Sequence, residues 1–89
     1  MDLTLLSRAY CHLCDEMLEA LRPIAAAAGA TIEVIDVDAA MNAALDAAWG
    51  DKVPVLFAGE PGTGIVLSYY HLDRAQVEAV LASAGRTRD

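Results

Sequence analysis

Apolar and polar residues along the chain follow patterns that predict a strand–helix–strand unit in its first half. Residues 3–7 and 31–37 are short, mostly apolar runs of the kind that form buried strands. From about residue 11 to residue 28, apolar side chains recur every three or four positions, which indicates a helix. Gly29 is suited to end that helix, whereas Pro23 should kink it or end it early. Such a unit makes two parallel strands with a right-handed crossover.

The second half predicts a short helix and a hairpin. Residues 39–49 are rich in alanine and follow Asp38, a candidate N-cap. Residues 53–58 and 65–68 are strand-like, and the Gly- and Pro-rich residues 59–64 between them indicate a turn. The first strand of this hairpin is predicted to pair antiparallel with the first strand of the chain.

The closing helix has the clearest start signal. Asp73 is a good N-cap, and Gln76 completes a capping box with it. We expect the helix to end at Gly85, before a frayed tail at residues 86–89. Together the elements predict one α/β domain over residues 1–89. Its four-stranded mixed sheet has the strand order 2-1-3-4 and is covered by helices.

Composition and charge narrow the class of protein. Eighty-nine residues suffice for one domain, and a hydrophobic content of 56% is enough for a core and too high for a disordered chain. The formal net charge of −7 argues against nucleic acid and against a membrane surface as partners. The first residues lack a basic segment and a long apolar run, so we expect no signal peptide. We expect a cytoplasmic monomer.

The stretch with the clearest chemistry is Cys11-His12-Leu13-Cys14, at the junction of the first strand and the first helix. Two thiols at this spacing are typical of a dithiol redox centre. Cys11 would face the free N–H groups at the helix start, which favour its thiolate. Cys14 would lie one turn further in, within reach of a disulfide. In a reducing cytoplasm such a pair is more often catalytic or metal-binding than structural.

Four features occur in a characteristic order. They are the hairpin, the capped last helix, and the two stretches Ser7-Arg8-Ala9-Tyr10-Cys11-His12-Leu13-Cys14 and Trp49-Gly50-Asp51-Lys52-Val53-Pro54-Val55-Leu56. In this order they resemble the thioredoxin fold. Within that fold the chain is most similar to the glutaredoxins, in particular to small bacterial glutaredoxin-like proteins with a C-H-L-C motif. The resemblance implies a thiol–disulfide oxidoreductase that reduces protein or glutathione mixed disulfides.

The resemblance also implies roles for residues outside the cysteine pair. Val53-Pro54 would be a cis peptide beside Cys11, and the Val53 backbone would pair with a substrate peptide or with glutathione. Arg8 matches a basic position of several glutaredoxins and is a candidate contact for the same partner. Glutaredoxins commonly carry C-P-Y-C, and a Gly-Gly pair with an acidic residue after the last strand. This chain lacks the C-P-Y-C motif and the Gly-Gly pair, and only Asp73 matches the acidic residue. A disulfide-bearing protein and glutathione are therefore both candidate partners.

The neighbours of the first cysteine are further candidates for substrate contact. In the expected reaction Cys11 attacks a target disulfide as the thiolate, and Cys14 resolves the mixed disulfide. Protonated His12 would stabilise the Cys11 thiolate, or would be a solvent-exposed residue without a role. Tyr10 would shield the disulfide, form a docking surface or pack locally in its turn. We expect no bound metal and no bound cofactor.

Two other classes of protein stay open. One is a metal-binding or metal-transfer protein, although a closed zinc site needs four ligands and only His12 and a distant His71 accompany the CxxC. A copper chaperone also places a CxxC between a strand and a helix, but its fold ends in a strand. The other class is a non-enzymatic binding module that keeps the thioredoxin fold. Disulfide reduction by cysteine variants distinguishes these classes.

Overall fold

The fold is built on a four-stranded sheet with helices packed on it. A computed structural model describes the backbone of residues 1–86 and the side chains of residues 1–83. The strands are β1 (Asp2–Ser7), β2 (Thr31–Asp36), β3 (Val55–Ala58) and β4 (Ile65–Tyr69). The helices are α1 (His12–Ala28), α2 (Ala43–Trp49) and α3 (Arg74–Arg86), with 3₁₀ turns at Ala40–Asn42 and Gly50–Lys52.

The strand order β2-β1-β3-β4 confirms the predicted topology. β1 runs parallel to β2 and antiparallel to β3, so Leu5 lies opposite both Val34 and Leu56. β4 pairs antiparallel with β3, with a register shift between Leu56 and Phe57. Because β1 is a central strand with both faces covered, its side chains from Leu3 to Leu6 are all buried. This explains the mostly apolar run of residues 3–6 in its sequence, in which Thr4 is the one polar residue.

Helices cover both faces of the sheet. The larger core lies between one face and helices α1 and α3, and its fully buried members include Leu3, Leu5, Leu21, Leu56 and Val77. The smaller core lies on the other face and contains Leu6, Val37, Val55 and Phe57. Trp49 of α2 packs edge-on against Phe57, with ring centroids 5.2 Å apart. No helix in the described part of the chain is long and apolar enough to cross a membrane.

Two helix ends follow their sequence signals. Gly29 ends α1 in the left-handed conformation (φ 68°), and its N–H donates to the carbonyls of Ala25 and Ala26. The Asp73 carboxylate accepts a hydrogen bond from the Gln76 N–H at 3.2 Å, which caps the start of α3. These two signals therefore predicted the end of α1 and the start of α3, the helices that cover the larger core.

The end of α1 at Ala28 confirms the predicted bound, and the alternative of an early end at Pro23 is wrong. Pro23 faces solvent, while the next residue, Ile24, is buried in the core and holds the last turns in place. α3 continues past Gly85 to Arg86, since a single glycine costs a helix only about 1 kcal/mol. The rest of the predicted tail, residues 87–89, lies outside the described residues.

The predicted role of Asp38 as the N-cap of a helix over residues 39–49 is wrong. A 3₁₀ turn occupies Ala40–Asn42, and α2 begins only at Ala43. The Asp38 backbone N–H donates to the Asp36 carboxylate at 2.8 Å, and the Asp38 carboxylate contacts Arg8 instead of a helix start. A tertiary ion pair thus replaces the local cap.

Candidate active site

The loop after β1, the loop before β3 and the loop after β4 meet at one edge of the sheet. Leu6, one residue before the end of β1, lies opposite Val55, the first residue of β3. Val55 also lies opposite Tyr69, the last residue of β4. The CxxC follows β1 and Pro54 precedes β3, so the register of the sheet brings both to the same edge.

Cys11 and Cys14 form a disulfide at the start of α1, with Cα atoms 5.2 Å apart. Cys11 is the N-cap of the helix, and its Sγ accepts a hydrogen bond from the Cys14 backbone N–H at 3.2 Å. That N–H is one of the groups at a helix start that lack a partner within the helix, and it favours negative charge on the sulfur. Cys14 is 2% exposed, whereas Cys11 is partly exposed. Cys11 is therefore the sulfur that a partner can reach, and Cys14 lies behind it.

The basic side chains next to the disulfide are paired with carboxylates of the same chain. Arg8 Nη2 lies 2.7 Å from the Asp46 carboxylate and 3.3 Å from that of Asp38. His12 Nε2 lies 2.9 Å from the Glu16 carboxylate, one turn along α1, and its side chain is 88% exposed. A partner that binds Arg8 or His12 has to compete with these carboxylates. The role of both residues in substrate binding stays a prediction.

Gly50 makes room for the pair between Arg8 and Asp46. A Cβ atom at Gly50 would overlap the Asp46 carboxylate and lie 3.1 Å from Arg8 Nη2. The backbone of Gly50 is helical (φ −56°), so the position requires glycine for space rather than for conformation. No local pattern indicates this arrangement, because Arg8 and Asp46 are 38 residues apart.

The loop of residues 51–54 lies between α2 and β3. Its Val53-Pro54 peptide bond is cis, Pro54 is buried, and Val53 has an extended backbone. Tyr70, which follows β4, donates a backbone hydrogen bond to the Pro54 carbonyl at 2.9 Å and a hydroxyl hydrogen bond to the Asp51 carbonyl at 3.0 Å. Tyr70 is therefore a contact of this loop that sequence reasoning missed.

Tyr10 lies next to Cys11 and is fully exposed, with a backbone φ of 59°. Its exposure contradicts the expectation that the ring packs locally in its turn. A non-glycine residue rarely adopts a positive φ, and here this backbone conformation directs the chain into the N-cap of α1. The ring is accessible to a partner that approaches the disulfide, and its role as a docking surface stays a prediction.

The described side chains include no group of three or more His, Cys, Asp or Glu residues placed to hold a metal ion. Neither His12 nor His71 therefore completes such a set with Cys11 and Cys14. The cysteine pair offers two sulfur ligands, two fewer than a closed tetrahedral zinc site requires.

Solved structures with a similar fold cover most of this chain. Protein Ne2328 from Nitrosomonas europaea is 35% identical, with a TM-score of 0.75 over 89% of this chain and 88% of that chain. Protein XcR50 from X. campestris is 37% identical, with a TM-score of 0.64 over 91% of this chain and 96% of that chain. Trichomonas vaginalis thioredoxin is 25% identical, with a TM-score of 0.61 over 92% of this chain and 77% of that chain.

No curated protein matches the sequence. A family described as Glrx-like, the glutaredoxin-like domain (DUF836), matches residues 2–82, which include every strand, the CxxC and most of α3. The strand order, the cysteine pair at the start of α1 and the similar structures agree with this match. The chain belongs to the glutaredoxin-like domain family (DUF836) and has the thioredoxin fold.

Proposed function

We propose that this protein is a cytoplasmic thiol–disulfide oxidoreductase that reduces protein disulfides or glutathione mixed disulfides through Cys11 and Cys14. One observation carries the proposal: the two sulfurs form a disulfide at the start of α1, with the Cys14 N–H donating to Cys11 Sγ and Cys14 itself buried. A reactive cysteine needs stabilisation of its thiolate and access for its substrate, and Cys11 has both.

The reaction transfers two electrons from the dithiol to the target. The Cys11 thiolate attacks one sulfur of the target disulfide, which forms a mixed disulfide and releases the other target sulfur as a thiolate. The Cys14 thiolate then attacks Cys11 Sγ, which forms the Cys11–Cys14 disulfide and releases the second target thiolate. Water protonates the released thiolates. A dithiol protein or two glutathione molecules then return the protein to the reduced form.

The order of attack follows from the burial of the two sulfurs. A target disulfide can approach Cys11 but not Cys14, which is enclosed by the start of α1 and the core. Cys14 needs no access to the target, because its substrate is the mixed disulfide on Cys11, one helical turn away. The partly exposed sulfur is therefore the nucleophile, and the enclosed sulfur is the resolving thiol.

Disulfide reduction by single cysteine variants tests the proposal. Wild-type protein, Cys11→Ser and Cys14→Ser are each reduced beforehand and incubated with a protein disulfide and with a glutathione mixed disulfide of a peptide. A dithiol protein or glutathione is present in excess for turnover and is omitted for trapping. We expect turnover by the wild type, no reaction by Cys11→Ser, and a trapped mixed disulfide with Cys14→Ser that mass spectrometry detects. Circular dichroism of all three proteins shows whether each is folded.

Two results would contradict the proposal. Turnover by folded Cys11→Ser would show that Cys11 is not the nucleophile. Failure of the reduced wild type to react with either substrate would favour a non-enzymatic binding module of the same fold. Turnover with only one of the two substrates would identify the partner as a disulfide-bearing protein or as glutathione.

A further inference from the structure

Tyr70 has an unusual backbone conformation at the edge of the sheet that carries the disulfide. Its φ is 65°, and Tyr10 is the only other non-glycine residue with a positive φ in the described part of the chain. For a residue with a Cβ atom this conformation is strained, and for a bulky side chain it is rare. A strained residue persists only where the surrounding structure holds it, and such residues concentrate at functional sites.

Two hydrogen bonds of Tyr70 hold both ends of the loop of residues 51–54. The backbone N–H donates to the Pro54 carbonyl at 2.9 Å, and the hydroxyl donates to the Asp51 carbonyl at 3.0 Å. The left-handed backbone of Tyr70 allows both hydrogen bonds to form. It turns the chain at the end of β4, so that the main chain and the side chain of Tyr70 both reach the loop. Val53 lies between the two bonded positions.

Tyr70 also shares a cavity with the helix that carries the disulfide. The cavity has a volume of about 180 Å³, and its lining includes Leu13, from within the CxxC, and Met17, one turn later in α1. The Tyr70 ring packs against the Tyr69 ring, with centroids 5.3 Å apart and an angle of 72° between the planes. Tyr70 therefore bonds to the loop of residues 51–54, contacts the last residue of β4 and shares a cavity with the CxxC helix.

We propose that Tyr70 is a positioning residue that sets the backbone of Val53 for pairing with an extended segment of a disulfide-bearing protein. This inference rests on the proposed function and on the expected pairing of Val53 with substrate. A loop held at both ends loses little conformational freedom when a substrate strand binds, so affinity for such a strand depends on Tyr70. A small disulfide needs only Cys11 and gains nothing from the loop.

The variant Tyr70→Phe removes the hydroxyl bond to Asp51 and keeps the ring. Tyr69→Phe is a matched control, because the Tyr69 hydroxyl forms no hydrogen bond with any other described residue. One neutral hydrogen bond corresponds to a change of about 2- to 10-fold. We expect Tyr70→Phe to raise KM for a disulfide-bearing peptide by that factor with kcat unchanged, and to leave both constants for hydroxyethyl disulfide unchanged. Tyr69→Phe should leave kcat and KM unchanged for both substrates.

Hydrogen exchange provides a readout that does not depend on activity. We expect the backbone amides of Lys52 and Val53 to exchange about 2- to 10-fold faster in Tyr70→Phe than in the wild type, with α1 amides unchanged. Equal exchange in the two proteins would overturn the inference, and so would an equal rise of KM for the peptide and the small disulfide. If the wild type reduces neither substrate, the proposed function fails, and the exchange rates alone decide whether Tyr70 positions the loop.

Discussion

Replacing Gly50 by alanine sets two effects of similar size against each other. The backbone of Gly50 is helical, so alanine should stabilise the folded state by about 0.5–1 kcal/mol through backbone propensity. The new Cβ would overlap the Asp46 carboxylate, which can rotate away but then leaves Arg8. The side chains of Arg8 and Asp46 are 34% and 47% exposed, and an ion pair of this kind contributes about 0.2–1 kcal/mol.

The two contributions cancel, so Gly50→Ala should change the free energy of unfolding by less than about 1 kcal/mol. The pair between Arg8 and Asp46 is nevertheless lost. In an Asp46→Ala background the carboxylate is absent, and the same substitution should stabilise by the full ~0.5–1 kcal/mol of helix propensity. The difference between the backgrounds measures the energy of the pair.

Urea unfolding of the four oxidised proteins, followed by circular dichroism, measures these values. The four are the wild type, the two single variants and the double variant. An equal effect of Gly50→Ala in the two backgrounds would refute the reasoning, because it would mean that the new Cβ does not displace the carboxylate. A loss above about 2 kcal/mol in the wild-type background would also refute it, since an exposed pair cannot account for that much.

Two further predictions concern the start of α1 and the start of α3. In the reduced protein iodoacetamide should modify Cys11 well before Cys14, because Cys14 is 2% exposed. Peptide mapping by mass spectrometry would show the order of modification. Simultaneous modification of the two cysteines would contradict their assigned roles. Asp73→Ala should lower the free energy of unfolding by about 1 kcal/mol through loss of the bond to the Gln76 N–H, whereas Asp73→Asn, which retains a capping oxygen, should be nearly neutral. Equal losses in both Asp73 variants would show that charge, and not the hydrogen bond, stabilises that helix start.

The elements of the fold could be predicted from sequence because their signals are local. The apolar run of β1, the glycine after α1 and the N-cap of α3 each specify a strand or a helix boundary within a few residues. The paired cysteines have a local spacing too, and so the chemistry of the site could be proposed from four consecutive residues. The CxxC junction and the strand order carried most of the information about the family.

What could not be predicted depends on contacts between distant parts of the chain. Asp38 has the residue type of an N-cap, but its carboxylate pairs with Arg8, so a tertiary contact overrides the local preference. Gly50 ends α2, as a glycine after an alanine-rich run indicates, but no local pattern indicates that it also makes room for the Asp46 carboxylate. The conformation of Tyr70 had no signal either, because tyrosine is not a residue from which a left-handed backbone is expected.

The pairing of basic side chains around the disulfide bears on how partners find it. Arg8, His12 and Lys52 each have a carboxylate within 4 Å, and the chain as a whole carries a formal charge of −7. Each of these described basic side chains is therefore paired, and the net negative charge of the chain repels an anionic thiol such as glutathione. Higher ionic strength should accelerate the encounter of such a thiol with Cys11 by screening the repulsion, whereas it should slow the approach of a basic protein segment.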